Sequence, residues 1–157
     1  MEIVKIIIDD IEDIFNKFDK NDISDELATY IEYRCSRVKK NEMTIEIYTD
    51  NKLDDKTKDK VVTAIRSHFG LETKYNIIDT KKRKILNIIY FFSGIFIMLF
   101  KNLLPLTKTV NDIVDVLGCF IIWESTFNLL FTDNEMDLKT DRAKKISNCH
   151  IEFKIKK

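Results

Sequence analysis

Apolar positions recur along the chain with three different spacings, and each spacing predicts a different kind of element. From Ile85 to Phe100, sixteen residues (ILNIIYFFSGIFIMLF) pass without a charge, and only Asn87 and Ser93 are polar. Tyr90 to Leu99 is apolar on every face apart from Ser93 and Gly94, whereas a helix of a soluble protein keeps a polar stripe. Such saturation predicts a membrane-crossing helix rather than the alternative, a core helix of a soluble protein. Sixteen residues rise only roughly 24 Å, but continuation to Leu106 gives roughly 33 Å, enough for a ~30 Å hydrocarbon core. Lys101 then snorkels outward on its long stem. A second segment of similar length, Val110 to Phe131, carries Asp112, Asp115 and Glu124. The pattern thus predicts spans at about residues 85–106 and 110–131, turned at Pro105.

Alternation by two predicts strands. In MTIEIYT (43–49), Met43, Ile45 and Ile47 face one way and Thr44, Glu46 and Tyr48 the other, the signature of a half-buried strand. The closing CHIEFKIKK sets Ile151, Phe153 and Ile155 against His150, Glu152, Lys154 and Lys156. EIVKIII (2–8) is rich in β-branched residues and reads as a strand, followed by a helix over 10–18 capped by Asp9 or Asp10. Val4, Ile7, Ile8, Ile11, Ile14, Phe15 and Phe18 also fit one amphipathic helix, so both readings stand at this level.

Helical spacing recurs in two polar stretches. Ser24 can cap a helix to about Val38, with Leu27, Tyr30, Ile31, Cys35 and Val38 on one face. Another helix is predicted from Asp55 to Phe69, stopped by Gly70; LETKYNII (71–78) then reads as a strand, and Asp79 or Thr80 starts the membrane helix. The stretch 133–145 is polar and basic, with no assigned element.

The closing strand has an apolar face to bury and so should return to a sheet formed before the apolar segments. The predicted fold is an α+β cytoplasmic domain, a small sheet with two or three helices, interrupted by a two-helix transmembrane hairpin. Residues 1–80 with 133–157 make the split domain, and 81–132 the hairpin.

Charge orients this arrangement. Lys81, Lys82, Arg83 and Lys84 precede the first span, and Lys139, Arg142, Lys144 and Lys145 follow the second, while the connecting loop has Lys101 and Lys108. Eight cations against two place both termini in the cytoplasm of a cell membrane, with the clusters at the lipid interface. The formal charge of zero divides into −5 for residues 1–80 and +5 for 81–157. Because the basic half lies next to lipid, no nucleic-acid partner is predicted. Lys5, Asp9 and Asp10 interrupt any signal-peptide pattern at the N-terminus. Cys35, Cys119 and Cys149 are odd in number and widely spaced, and read as reduced structural thiols.

The run W-E-x-x-x-x-L-L-F-T-D from Trp123 to Asp133, the basic stretch after it, the closing I-x-F strand and the I-S-D-E-L-x-x-Y-I of Ile23 to Ile31 resemble a group of uncharacterised two-pass membrane proteins of Firmicutes-type bacteria. The resemblance covers most of the chain and implies the two-pass topology. It carries no catalytic residue over, since that group has no assigned activity.

Enzyme signatures are missing from the sequence: His68 and His150 are far apart, and H-E-x-x-H, C-x-x-C and G-x-S-x-G do not occur. Three Gly and one Pro leave no glycine-rich phosphate loop. No catalytic residue, metal site or cofactor is predicted. Glu124 is the one residue whose position demands an explanation, because an acid at mid-bilayer costs a few kcal/mol unless it is neutral, paired or wet. Antiparallel packing sets it opposite Phe92 and Ser93 beside Gly94, with Asn87 and Asn128 near the cytoplasmic face. A polar seam of Asn87, Ser93, Glu124 and Asn128 is the predicted site. It implies a non-enzymatic membrane protein associating into a homo-oligomer or with another membrane protein. The alternatives are an oligomeric pore or ion-coupled component using Glu124, and a membrane effector regulated by a ligand of the soluble domain.

Overall fold

The computed structural model describes residues 2–38, 43–105 and 107–156, and it is mostly helical with a small three-stranded parallel sheet. The chain forms two compact units, Met1–Tyr75 with Lys139–Lys157, and Asn76–Leu138.

In the first unit, β1 (Glu2–Ile8), β2 (Met43–Thr49) and β3 (His150–Ile155) lie in the order β1-β2-β3, all parallel. The register aligns Val4, Ile45 and Ile151, and then Ile6, Ile47 and Phe153, so one face of the sheet is a continuous apolar layer. Against that layer pack Ile31 and Cys35 of α1 (Asp25–Ser36), Val61, Ile65 and Phe69 of α2 (Asp55–Phe100), and Ala143 and Ile146 of α4 (Asp133–Asn148). The closing strand therefore pairs with the sheet as its apolar face requires. The chain between β2 and β3 includes the whole second unit.

Local chemistry explains several boundaries. Asp10 accepts from the Glu12 backbone N–H at 3.0 Å, and Ser24 caps α1 by accepting from Leu27 N–H at 3.4 Å. The helix expected over 10–18 shrinks to a single 3₁₀ turn, Ile11–Ile14. Phe15 leaves that turn in extended geometry and bridges Ile23, while Asn16 N–H donates to Asp22 C=O at 2.9 Å. Loop hydrogen bonds thus replace the helical ladder.

The larger correction concerns Gly70. It does not end a helix, residues 71–78 are not a strand, and no new helix starts at Asp79 or Thr80; α2 runs unbroken from Asp55 to Phe100. Gly70 has no positive φ, and a side chain placed there would meet nothing within 4 Å. Extending a helix gains one hydrogen bond per residue fixed, whereas a new nucleus is costly, so weak β-propensity at Tyr75–Ile78 loses. His68 accordingly is not at a helix end; its Nδ1 lies 2.9 Å from Asp22 Oδ1. The stretch after Thr132 also gains an element, α4.

β2 is not half-buried. Thr44 and Glu46 are 2% and 4% exposed; this central strand is flanked on both sides, and the side chains of Tyr48 and Lys154 lie against Glu46. Glu46 accepts from Tyr48 Oη at 2.8 Å and from Lys154 Nζ. These bonds, led by that from Lys154, hold its carboxyl below the usual range and push the Lys154 ammonium up. Cys35 and Cys149 are buried, and burial pushes their thiols up to about 12 and about 11.

Candidate functional site

The second unit contains the apolar parts of two helices long and apolar enough to cross a membrane. α2 ends at Phe100 and passes into a 3₁₀ turn, Lys101–Leu103, rather than continuing to Leu106, which lies outside the described residues. α3 (Lys108–Phe127) continues through a π-helical turn, Asn128–Thr132, into α4. Only 11% of each apolar window is buried, where a core helix of a soluble protein would be mostly covered.

Glycine sets where the two helices meet. Gly94 of α2 and Gly118 of α3 are both buried and allow backbone to approach backbone, the packing that small residues permit between helices in lipid. Near the turn, Lys101 Nζ pairs with Asp115. Lys101 therefore does not reach outward alone: Asp115, towards the loop end of α3, is its partner.

The predicted seam is only partly assembled. Glu124 stays exposed on α3, in a groove of about 280 Å³ lined by Tyr90, Ser93, Phe120, Ile121 and Ser125. Ser93 shares that groove, but its hydroxyl donates to Tyr90 C=O at 2.8 Å instead of to Glu124. Asn128 Nδ2 donates to Glu124 Oε1 at 3.2 Å, and Thr132 Oγ1 donates to Asn128 Oδ1 at 3.2 Å. The polar groups thus form a ladder along one helix, at spacings of four, rather than a bridge between two. Asn87 is buried on α2. Phe120 and Trp123 are 63% and 68% exposed, so Glu124 sits on a surface otherwise suited to lipid.

Asp133 is the residue the sequence reading missed. It is 1% exposed, and neither carboxylate oxygen has a hydrogen-bond partner. It follows directly on the π-helical turn, a feature frequent at functional sites. The only available signal was its place one residue beyond the i, i+4 series Glu124, Asn128, Thr132, which the reading of 133–145 as a polar, basic stretch of the soluble domain concealed.

Of the basic residues, Lys81, Lys82, Lys144 and Lys145 are exposed and Arg142 is half-buried. Two others are already paired: Arg83 with Asp79 at 4.0 Å, and Lys84 with Asp137 at 2.8 Å. No protein-family model, curated protein or solved structure matches the chain.

Proposed function

We propose that this chain is a two-pass integral membrane protein of non-enzymatic type, with both termini in the cytoplasm. Its α+β unit makes protein contacts, and its apolar helices associate into a homo-oligomer or with another membrane protein. The observation that carries this reading is the exposed Glu124 beside Phe120 and Trp123 on an otherwise apolar surface. In lipid that carboxylate has Asn128 beside it and needs further polar company, which a neighbouring helix pair seated against the groove supplies. The low burial of both apolar windows supports membrane residence, and the eight flanking cations support the orientation.

Reporter fusions at residue 1, at Thr107 and at Lys157 test the topology: the termini should report cytoplasm and Thr107 the opposite side. Crosslinking in membranes, followed by a mass measurement in detergent, tests association. A strict monomer removes the oligomer.

A second reading, an oligomeric ion-coupled component, is favoured by the Glu124–Asn128–Thr132 ladder and the partnerless Asp133 beyond it. Two spans per chain enclose a pathway only when several copies assemble. Proton or cation flux in vesicles separates the two readings.

A further inference from the structure

We propose that the free edge of β1, with the groove between it and α1, docks an extended basic segment of another protein as a fourth strand of the sheet. β1 pairs with β2 alone, and among the described residues no other backbone hydrogen bond involves Glu2–Ile8. Proteins usually guard such an edge with charges, proline, a bulge or a covering element. Here the edge is seven residues long, has one internal charge, Lys5, and leaves Ile3 and Ile7 47% and 67% exposed. A long edge of this kind, with one free row of backbone groups, is the surface that strand addition uses, with main-chain hydrogen bonds for affinity and side-chain pockets for selectivity.

The pocket lies alongside it. A groove of about 280 Å³ is lined by Ile7 of β1 and by Leu27 and Tyr30 of α1, and its charged lining is wholly acidic: Asp9, Asp13 and Glu26. An extended occupant alternates its side chains, so one set meets the apolar wall while lysines or arginines meet the acids. Asp9 already holds the ammonium of Lys156, so a cation is accommodated at that end. The same acids disfavour an anionic lipid surface or a nucleic acid, and a second copy of β1, whose Glu2 and Lys5 cancel, brings them no net positive charge.

The inference rests on reading this unit as a protein-contact module, and it is independent of membrane insertion. The full chain in neutral detergent micelles is titrated with a capped, fluorescent peptide of alternating valine and lysine, long enough to cover β1. Anisotropy and backbone-amide exchange at Ile3–Ile8 are read together. Saturable binding with β1 exchange slowed about tenfold is expected, and a valine–glutamate peptide should not bind. Asp13→Lys with Glu26→Lys, both on exposed side chains, should weaken binding by at least about tenfold, and Ile7→Glu gives an independent check should that pair disturb the fold. Absent binding, or binding without slowed β1 exchange, overturns the proposal. Concentration-dependent protection of β1 without peptide also overturns it, by making a second copy the occupant. A failed topology reporter would leave peptide binding in place, whereas lost binding with intact topology removes the docking site alone.

Discussion

Gly94 and Gly118 meet backbone to backbone where α2 crosses α3: a Cβ on Gly94 would stand 3.1 Å from the Gly118 carbonyl oxygen and 2.8 Å from Ile122 Cγ1. A Cβ on Gly118 would instead collide chiefly with Met98, at 2.5 Å, and a methionine can swing away. Gly94→Ala should therefore destabilise the helix pair by roughly 1–3 kcal/mol, as overpacking does, and Gly118→Ala by less. Melting in detergent followed by Trp123 fluorescence checks the order. A Gly94→Ala protein as stable as the parent would remove the close crossing.

Gly70 gives the opposite expectation. Nothing lies within 4 Å of the position a Cβ would take, and the residue is interior to α2. Alanine there removes the entropic penalty of glycine in a helix, so Gly70→Ala should stabilise by roughly 0.5–1 kcal/mol. A lower melting temperature would indicate that the helix breaks at Gly70 after all.

The contrast between these glycines explains how far the sequence was legible. Period and saturation found both apolar helices, the strands at 43–49 and at the C-terminal end, and the Ser24 cap, because each rests on one local pattern that tertiary packing reinforces. Residues 2–8 fitted strand and amphipathic helix alike, and only pairing with β2 decides for the strand. Gly70 misled because glycine after Phe69 has the chemistry of a helix stop, and only the continuing ladder through Thr73, whose hydroxyl donates to Phe69 C=O at 2.7 Å, decides otherwise. Burial of Glu46 was hidden for a different reason. An alternating strand does not announce whether it is central, and its partner Lys154 lies 108 positions away. Glu124 and Asn128 were correctly joined, being one helical turn apart, but the Ser93 contact required a side-chain choice that the Tyr90 carbonyl captures.

The Glu46–Lys154 pair predicts a pH dependence. The Glu46 pKa is lowered in the fold from an ordinary value of 4.5, so its contribution is present above that value and is lost as pH falls through the lower folded one. Lys154 is shifted upward from 10.5, so its contribution is complete throughout the acid range and disappears only above that value. Lys154→Met removes the first cause of the Glu46 shift. It should lower stability at neutral pH, and the parent and mutant curves should approach each other as pH falls below 4.5 and meet once it has passed the lower folded value. Parallel melting curves across pH 3–7 would show that the pair contributes nothing to folding.

Asp133 predicts a stabilising substitution. A buried carboxylate without a hydrogen-bond partner is costly, and Asn keeps its shape while removing the charge. If Asp133 has only a structural place, Asp133→Asn should raise stability by roughly 1–3 kcal/mol and leave vesicle ion flux unchanged. An ion-coupled role requires the opposite pairing: flux falls, whatever happens to the melting temperature.

The last prediction separates glue from relay at Glu124. As interhelical glue it acts through hydrogen bonding and shape, since its groove is shared with Ser93 and its oxygen already accepts from Asn128. Glu124→Gln preserves both properties and should assemble like the parent. Glu124→Leu preserves neither, and should weaken association by roughly 1–2 kcal/mol, the size of an interhelical hydrogen bond in lipid. An ion-coupled component depends on the ionisable group itself, so there Glu124→Gln abolishes flux while assembly persists. Crosslinked mass and vesicle flux measured on the same two variants discriminate these outcomes. If both variants match the parent in both measurements, the exposed carboxylate is neither contact nor carrier, and the groove around it faces lipid alone.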